Sequence, residues 1–173
     1  MAKKNDKKEK FNIRQSGNYI TLTLGGESAA EVSAKSSDSK SIANLLSLLT
    51  NKENKQLKED ALRELKSEAG KELLLKAIAV SKDKNEMRIL TAACWEAGLD
   101  FSKYLSFFVK LALISDLDID IEVLTVIEDM QGPFDKKMLE ESMDKLSAAQ
   151  KENDSERSII FGEMVAALDR FRE

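Results

Sequence analysis

A helix-start signal returns along this chain with a nearly constant period. Thr50-x-x-Glu53, Asp83-x-x-Glu86 and Asn153-x-x-Glu156 each place Glu three positions after a short polar residue. In that pattern each side chain reaches an unpaired backbone N–H of the first turn. Asp116 opens a fourth such segment, with Ile119 in the Glu place. Successive starts lie 33, 33 and 37 residues apart. The residues seven and eleven positions after each start are apolar throughout: Leu57 and Ala61, Leu90 and Cys94, Val123 and Ile127, Ile160 and Met164. Residues four apart lie on one helix face, so every start is followed by an apolar stripe. A fixed period of this length predicts stacked helical repeats.

The apolar spacing extends this to eight helices. Ile42, Leu45, Leu46 and Leu49 predict a first helix over 39–50. Leu57, Ala61, Leu62 and Leu65 predict a second over 52–68, ended by Gly70. A third is marked by Leu73, Leu74, Ala77 and Ile78, and a fourth by Met87, Leu90, Cys94 and Ala97, with Gly98 as its C-terminal cap. The fifth starts at Asp100 and runs to Ile114; it is apolar on most sides, which predicts burial on most sides. Val123, Val126, Ile127 and Met130 mark the sixth, stopped by Gly132-Pro133. The seventh carries Leu139, Met143, Leu146 and Ala149, and the last Ile160, Met164, Ala167, Leu168 and Phe171. Short connections make the members of each pair antiparallel neighbours. The expected fold is therefore all-α, a solenoid of four helix pairs, each with a first (A) and a second (B) helix.

The N-terminal part reads differently. Residues 1–10 hold five Lys against Asp6 and Glu9 and are expected to be a disordered basic tail. Residues 11–38 are expected to be a β-like arm and linker. Ile20, Leu22 and Leu24 alternate with Thr21 and Thr23, which is a strand period, and Gly17-Asn18 suits a hairpin turn. The linker is rich in Ser, Ala and Gly, with a short helical turn expected around Ala29 to Ala34. Residues 39–173 form the helical-repeat domain.

Charge and composition narrow the function classes. The net charge is −4, yet the first ten residues carry +3, so the rest of the chain carries −7. An acidic body repels phosphate backbones, which argues against nucleic acid as the partner. The tail lacks interleaved aromatics and reads as a solvated segment. No apolar run follows it, so no secretory signal is expected. The longest apolar run, Tyr104 to Ile114, is interrupted by Lys110 and is far short of the roughly 20 residues of a membrane span. One cysteine excludes an intramolecular disulfide and fits a reducing, cytoplasmic setting.

The segment DKNEMRILTAACWEAG at 83–98 resembles the second helix of a HEAT repeat. Met87-Arg88 stands in the place of that family's Val-Arg pair, and Ala92 and Ala93 supply the small residues behind it. With the paired helices and the period, residues 39–172 resemble the HEAT and armadillo class of α-solenoids. That resemblance implies protein binding along the surface lined by the B helices. Ile121-Glu122 occupies the corresponding place one repeat later without the Arg.

Catalytic patterns fail on residue type. The chain has no histidine, so Cys–His and Ser–His–Asp chemistry is excluded, and Cys94 shares its repeat position with Ala61, Ile127 and Met164, which predicts a core residue. Asp116, Asp118, Asp120 and Glu122 alternate like a calcium loop, but Ile121 and Ile127 occupy the positions where such a loop needs Gly and Glu. They read as acidic residues at a helix N-terminus. No cofactor and no metal are expected. Thirteen positions after the starts lie Arg63, Glu96 and Asp129, an outer column whose charge is mixed and grows acidic. Trp95 is either packed at a repeat boundary against Phe101 or Tyr104, or an exposed binding anchor. Together Arg63, Arg88, Trp95, Glu96, Glu122 and Asp129 form the candidate partner-binding set, suited to a basic or polar protein or peptide. The expected function is non-enzymatic: an adaptor, scaffold or assembly subunit. The alternative is a nucleic-acid-binding helical-repeat protein with base-modifying chemistry.

Overall fold

The computed structural model describes residues 11–16, 19–24, 33–35, 38–51, 55–153 and 156–172, with side chains described from Lys40 onward. Eight α-helices carry the described residues: α1 Asp38–Leu49, α2 Lys55–Glu64, α3 Glu68–Val80, α4 Lys84–Glu96, α5 Leu105–Ile114, α6 Leu117–Asp129, α7 Lys136–Glu152 and α8 Glu156–Asp169. The helical body is thus all-α. Among the described residues no helix is long and apolar enough to cross a membrane. Ahead of the helices, β1 Phe11–Ser16, β2 Tyr19–Leu24 and β3 Ser33–Lys35 pair antiparallel in that order, with Phe11 opposite Leu24 and Ser16 opposite Tyr19. Ser33 and Ala34, expected in a helical turn, lie in β3 opposite Thr21 and Ile20. β3 also packs on α1. The basic tail 1–10, the Gly17-Asn18 turn, most of the 25–37 linker and Glu53 lie outside the described residues.

The cap residues decide where helices begin. Asp83 and Asp116 act as expected, accepting from the backbone N–H of Glu86 at 2.9 Å and of Ile119 at 3.5 Å. The residues that follow Thr50 and Asn153, 52–54 and 154–155, lie outside the described residues, and the bonds seen for these two side chains run to the preceding helix. The Thr50 hydroxyl donates back to the Leu46 carbonyl at 2.7 Å, and the Asn153 amide donates to the Ala149 carbonyl at 2.7 Å. Both side chains bond carbonyls in the last turn of the preceding helix, and the Leu46 carbonyl also accepts from the Thr50 N–H at 2.9 Å. Ser67 and Asp135 cap the odd-numbered helices α3 and α7, accepting from Gly70 and Met138 N–H. Asp100 does not start α5 directly. Its carboxylate accepts from the N–H and hydroxyl of Ser102, and a 3₁₀ turn over Ser102–Tyr104 precedes the helix. Ser102 Oγ also accepts from the Gln131 and Gly132 N–H groups, which ties the loop before α7 to the start of α5.

Gly70 is not a terminator either. It lies inside the first turn of α3, buried, where a Cβ would collide with the backbone of Leu65. The short α2–α3 corner depends on that close approach. Gly98 does end α4, with φ of +64°. It supplies the left-handed residue that commonly closes a helix.

Packing follows two directions. Within pairs, α1 packs on α2, α3 on α4, α5 on α6 and α7 on α8. Between pairs, α4, α6 and α8 form one row, while α1 packs on α3 and α5 on α7. The residues eleven positions after each expected start, Ala61, Cys94, Ile127 and Met164, are all buried. Those at seven are buried in Leu90 and Val123 and half-buried in Ile160, while Leu57 is 38% exposed. α2 is the exception in the array: Ala61 is its one buried residue.

Among the described residues, one ion pair has a fully buried carboxylate. Arg157 Nε of α8 donates to Asp120 Oδ2 of α6 at 2.7 Å, and Asp120 is fully buried. Ser115 donates to the other carboxylate oxygen at 2.8 Å, and Arg157 Nη2 reaches the Ala112 carbonyl of α5 at 2.9 Å. Burial pushes the Asp120 carboxyl above its ordinary range, against the opposing pull of Arg157 and Ser115.

Two substitutions test this packing. Arg157→Met leaves a buried carboxylate without its cation and is expected to cost about 3 kcal/mol in urea unfolding at neutral pH. A carboxyl whose folded pKa lies above its unfolded value binds its proton more readily in the native state, so that loss should shrink as the pH falls toward the unfolded value near 4. A loss independent of pH would separate it from Asp120. Gly70→Ala forces Leu65 and the α2–α3 corner apart, with an expected loss of about 2 kcal/mol in the same assay.

Candidate functional site

A groove of about 520 Å³ opens on the outer side of α2 and α4. Its origin is the weak packing of α2. α1 touches α4 directly, and α2 meets α4 through the Lys58–Glu96 ion pair. Ile89 and Ala92 of α4 are therefore only partly covered. They form an apolar floor with Trp95, and Leu49, Thr50 and Asn51 at the end of α1 close one side. Ile89 and Ala92 share a face because they lie three residues apart on the helix.

Two ion pairs flank the floor. Lys58 Nζ bonds both oxygens of Glu96, at 2.9 and 2.8 Å. Arg88 Nη1 donates to Glu122 Oε1 at 3.3 Å, across the α4–α6 contact. The Trp95 indole N–H donates to the second oxygen, Glu122 Oε2, at 2.9 Å. Trp95 is half-buried, with its polar edge held by α6 rather than turned to the 101–104 segment. Phe101 instead packs with Tyr104 and Phe108, with ring centroids 6.2 and 5.4 Å apart.

Four of the six sequence-predicted residues, Arg88, Trp95, Glu96 and Glu122, thus line one groove. The other two lie elsewhere. Arg63 is exposed near the end of α2 and pairs with Asp60 of its own helix at 3.4 Å. Asp129 is the exposed last residue of α6. The sequence reading missed Lys55, Lys58, Leu49 and Ile89. Lys58 carried no readable signal, because its pairing with Glu96 joins residues 38 positions apart on two different helices. A second hollow, of about 350 Å³ among α1, α2 and α3, holds none of the predicted residues.

The remaining reactive groups are occupied in structure. Cys94 is fully buried, its thiol bonded to the Leu90 carbonyl at 3.5 Å, and burial pushes its pKa far up. A thiol so placed is a poor nucleophile. Asp116 pairs with Lys84 at 2.7 Å, which holds its carboxyl below the usual range. Among the described residues no group of three or more His, Cys, Asp or Glu is placed to hold a metal ion.

No protein-family model, curated protein or solved structure matches this chain.

Trp95, the one tryptophan in the chain, reports on this site. Glu122→Ala removes the acceptor of the indole N–H and the partner of Arg88. We expect a loss of about 1–2 kcal/mol and a red shift of the tryptophan emission. Unchanged emission would show that Glu122 does not hold the indole.

Proposed function

We propose that this chain is a non-enzymatic protein-interaction module, a small α-solenoid of the HEAT and armadillo kind that binds a partner on the face of its even-numbered helices. The observation that carries this reading is the groove over Ile89, Ala92 and Trp95. It joins an apolar floor to charged walls, on helices rather than loops. Trp and Arg together are the residue types most enriched at binding hot spots. Their surroundings favour a recognition role over chemistry: the carboxylates are engaged by cations and the thiol lies in the core. The paired packing and the α4–α6–α8 row favour the solenoid. In this reading the N-terminal strands are an arm that continues into the first helix through β3, and a free, buried cysteine fits a cytoplasmic setting.

The test is a nuclease-treated native pull-down with the full chain and with Ala92→Tyr, which fills the groove from a half-buried position. A stoichiometric protein partner lost from Ala92→Tyr supports the proposal. A partner equally retained by Ala92→Tyr removes the groove. Nucleic acid recovered alone when nuclease is omitted would favour the base-binding alternative.

A further inference from the structure

The polar groups of the groove are not equally committed. Both oxygens of Glu96 already accept from Lys58, and each oxygen of Glu122 accepts one bond, from Arg88 and from Trp95. On the donor side the picture is reversed. Arg88 has five N–H donors and uses one group here, at 3.3 Å, with 41% of its side chain exposed. Lys55, at the mouth of the groove, is 90% exposed, and its contact with Glu59 is a long 3.7 Å. The lining side chains carry three positive and two negative charges, so the groove is locally cationic on a body that is net acidic.

We propose that this groove takes an acidic, apolar peptide segment: a large aliphatic or aromatic side chain on the Ile89–Ala92–Trp95 floor, with an adjacent Asp or Glu carboxylate on Arg88 and Lys55. The inference rests on the protein-binding reading above and narrows its partner. It departs from the basic partner suggested by Glu96 and Asp129 in the sequence, because Glu96 is engaged and Asp129 lies outside the groove. An added carboxylate meets uncommitted donors, with charge-assisted bonds at Arg88. An added ammonium would meet carboxylates whose charge Lys58 and Arg88 already offset.

Trp95 fluorescence reads occupancy directly. The probes are a short synthetic peptide of Glu, Asp, Leu and Phe, its counterpart with Lys and Arg in the acidic places, and a short oligothymidylate. The expected result is a saturable emission change with the acidic peptide alone. Its Kd should rise about tenfold or more in Arg88→Gln. Because Arg88→Gln also touches Glu122, Ala92→Glu is the second variant. It sets a carboxylate into the groove without removing a contact and should abolish acidic-peptide binding while leaving the melting transition in place. Saturable binding of the basic peptide would overturn the inference and leave the protein-binding reading standing. A response to oligothymidylate alone would overturn both. No response to any probe would overturn the inference, with the pull-down deciding the broader reading.

Discussion

Helix α6 is a carboxylate-bearing helix without a base, and the rest of the array is arranged around that fact. With its cap it carries Asp116, Asp118, Asp120, Glu122, Glu128 and Asp129, and no Lys or Arg. Its neighbours supply the cations. Lys84 and Arg88 of α4 reach Asp116 and Glu122, and Arg157 of α8 reaches Asp120. At the far end, Arg170 donates to the carbonyls of Glu128 and Met130. Acids at the start of a helix and a cation on its last carbonyls both suit the helix dipole. The apolar face of α6, with Ile119, Val123, Val126 and Ile127 buried, supplies most of the free energy at about 1.5–3 kcal/mol per side chain. Exposed pairs such as Lys84–Asp116 add at most about 1 kcal/mol each. Their larger effect is on register: a slip of α8 along α6 would strand Asp120 in the interior without Arg157.

The groove exists because this arrangement stops at α2. Between α4 and α6 the helices meet along apolar faces and two ion pairs, and little of the contact stays open. Between α2 and α4, one buried residue on α2 and one ion pair leave Ile89 and Ala92 only partly covered. Trp95 sits where the closed interface meets the open one, its N–H on α6 and its ring beside the groove floor. The same Glu122 that fixes α4 to α6 therefore also orients the groove's largest side chain.

The helix count and the core columns were legible in the sequence, because apolar spacing reports burial directly. Two of the four start signals are seen at work. Asp83 and Asp116 accept bonds at helix N-termini, but Thr50 and Asn153 donate to the helices behind them. Thr and Asn carry donors as well as acceptors, so spacing alone cannot say which terminus they serve. Gly70 read as a stop because glycine ends helices often; its actual reason, close approach to Leu65, is a tertiary contact. The Asp120–Arg157 pair did leave a trace. Asp120 lies four residues after Asp116, and Arg157 four after Asn153, so the two lie at equal distances from successive start signals. Of the groove, Glu96 was legible as an outer position of its helix, and Arg88, Trp95 and Glu122 as candidate binding residues. That their carboxylates face inward partners was not, since pairing across helices depends on how α2, α4 and α6 are rotated.

Native-state hydrogen exchange tests the central role of α6 most directly. If α4 and α8 hold it from both sides, the amides within 117–129 should exchange only through global unfolding, together with those of α4, while α2 opens first. Exchange of α6 through a local opening, with α4 and α8 still protected, would contradict it.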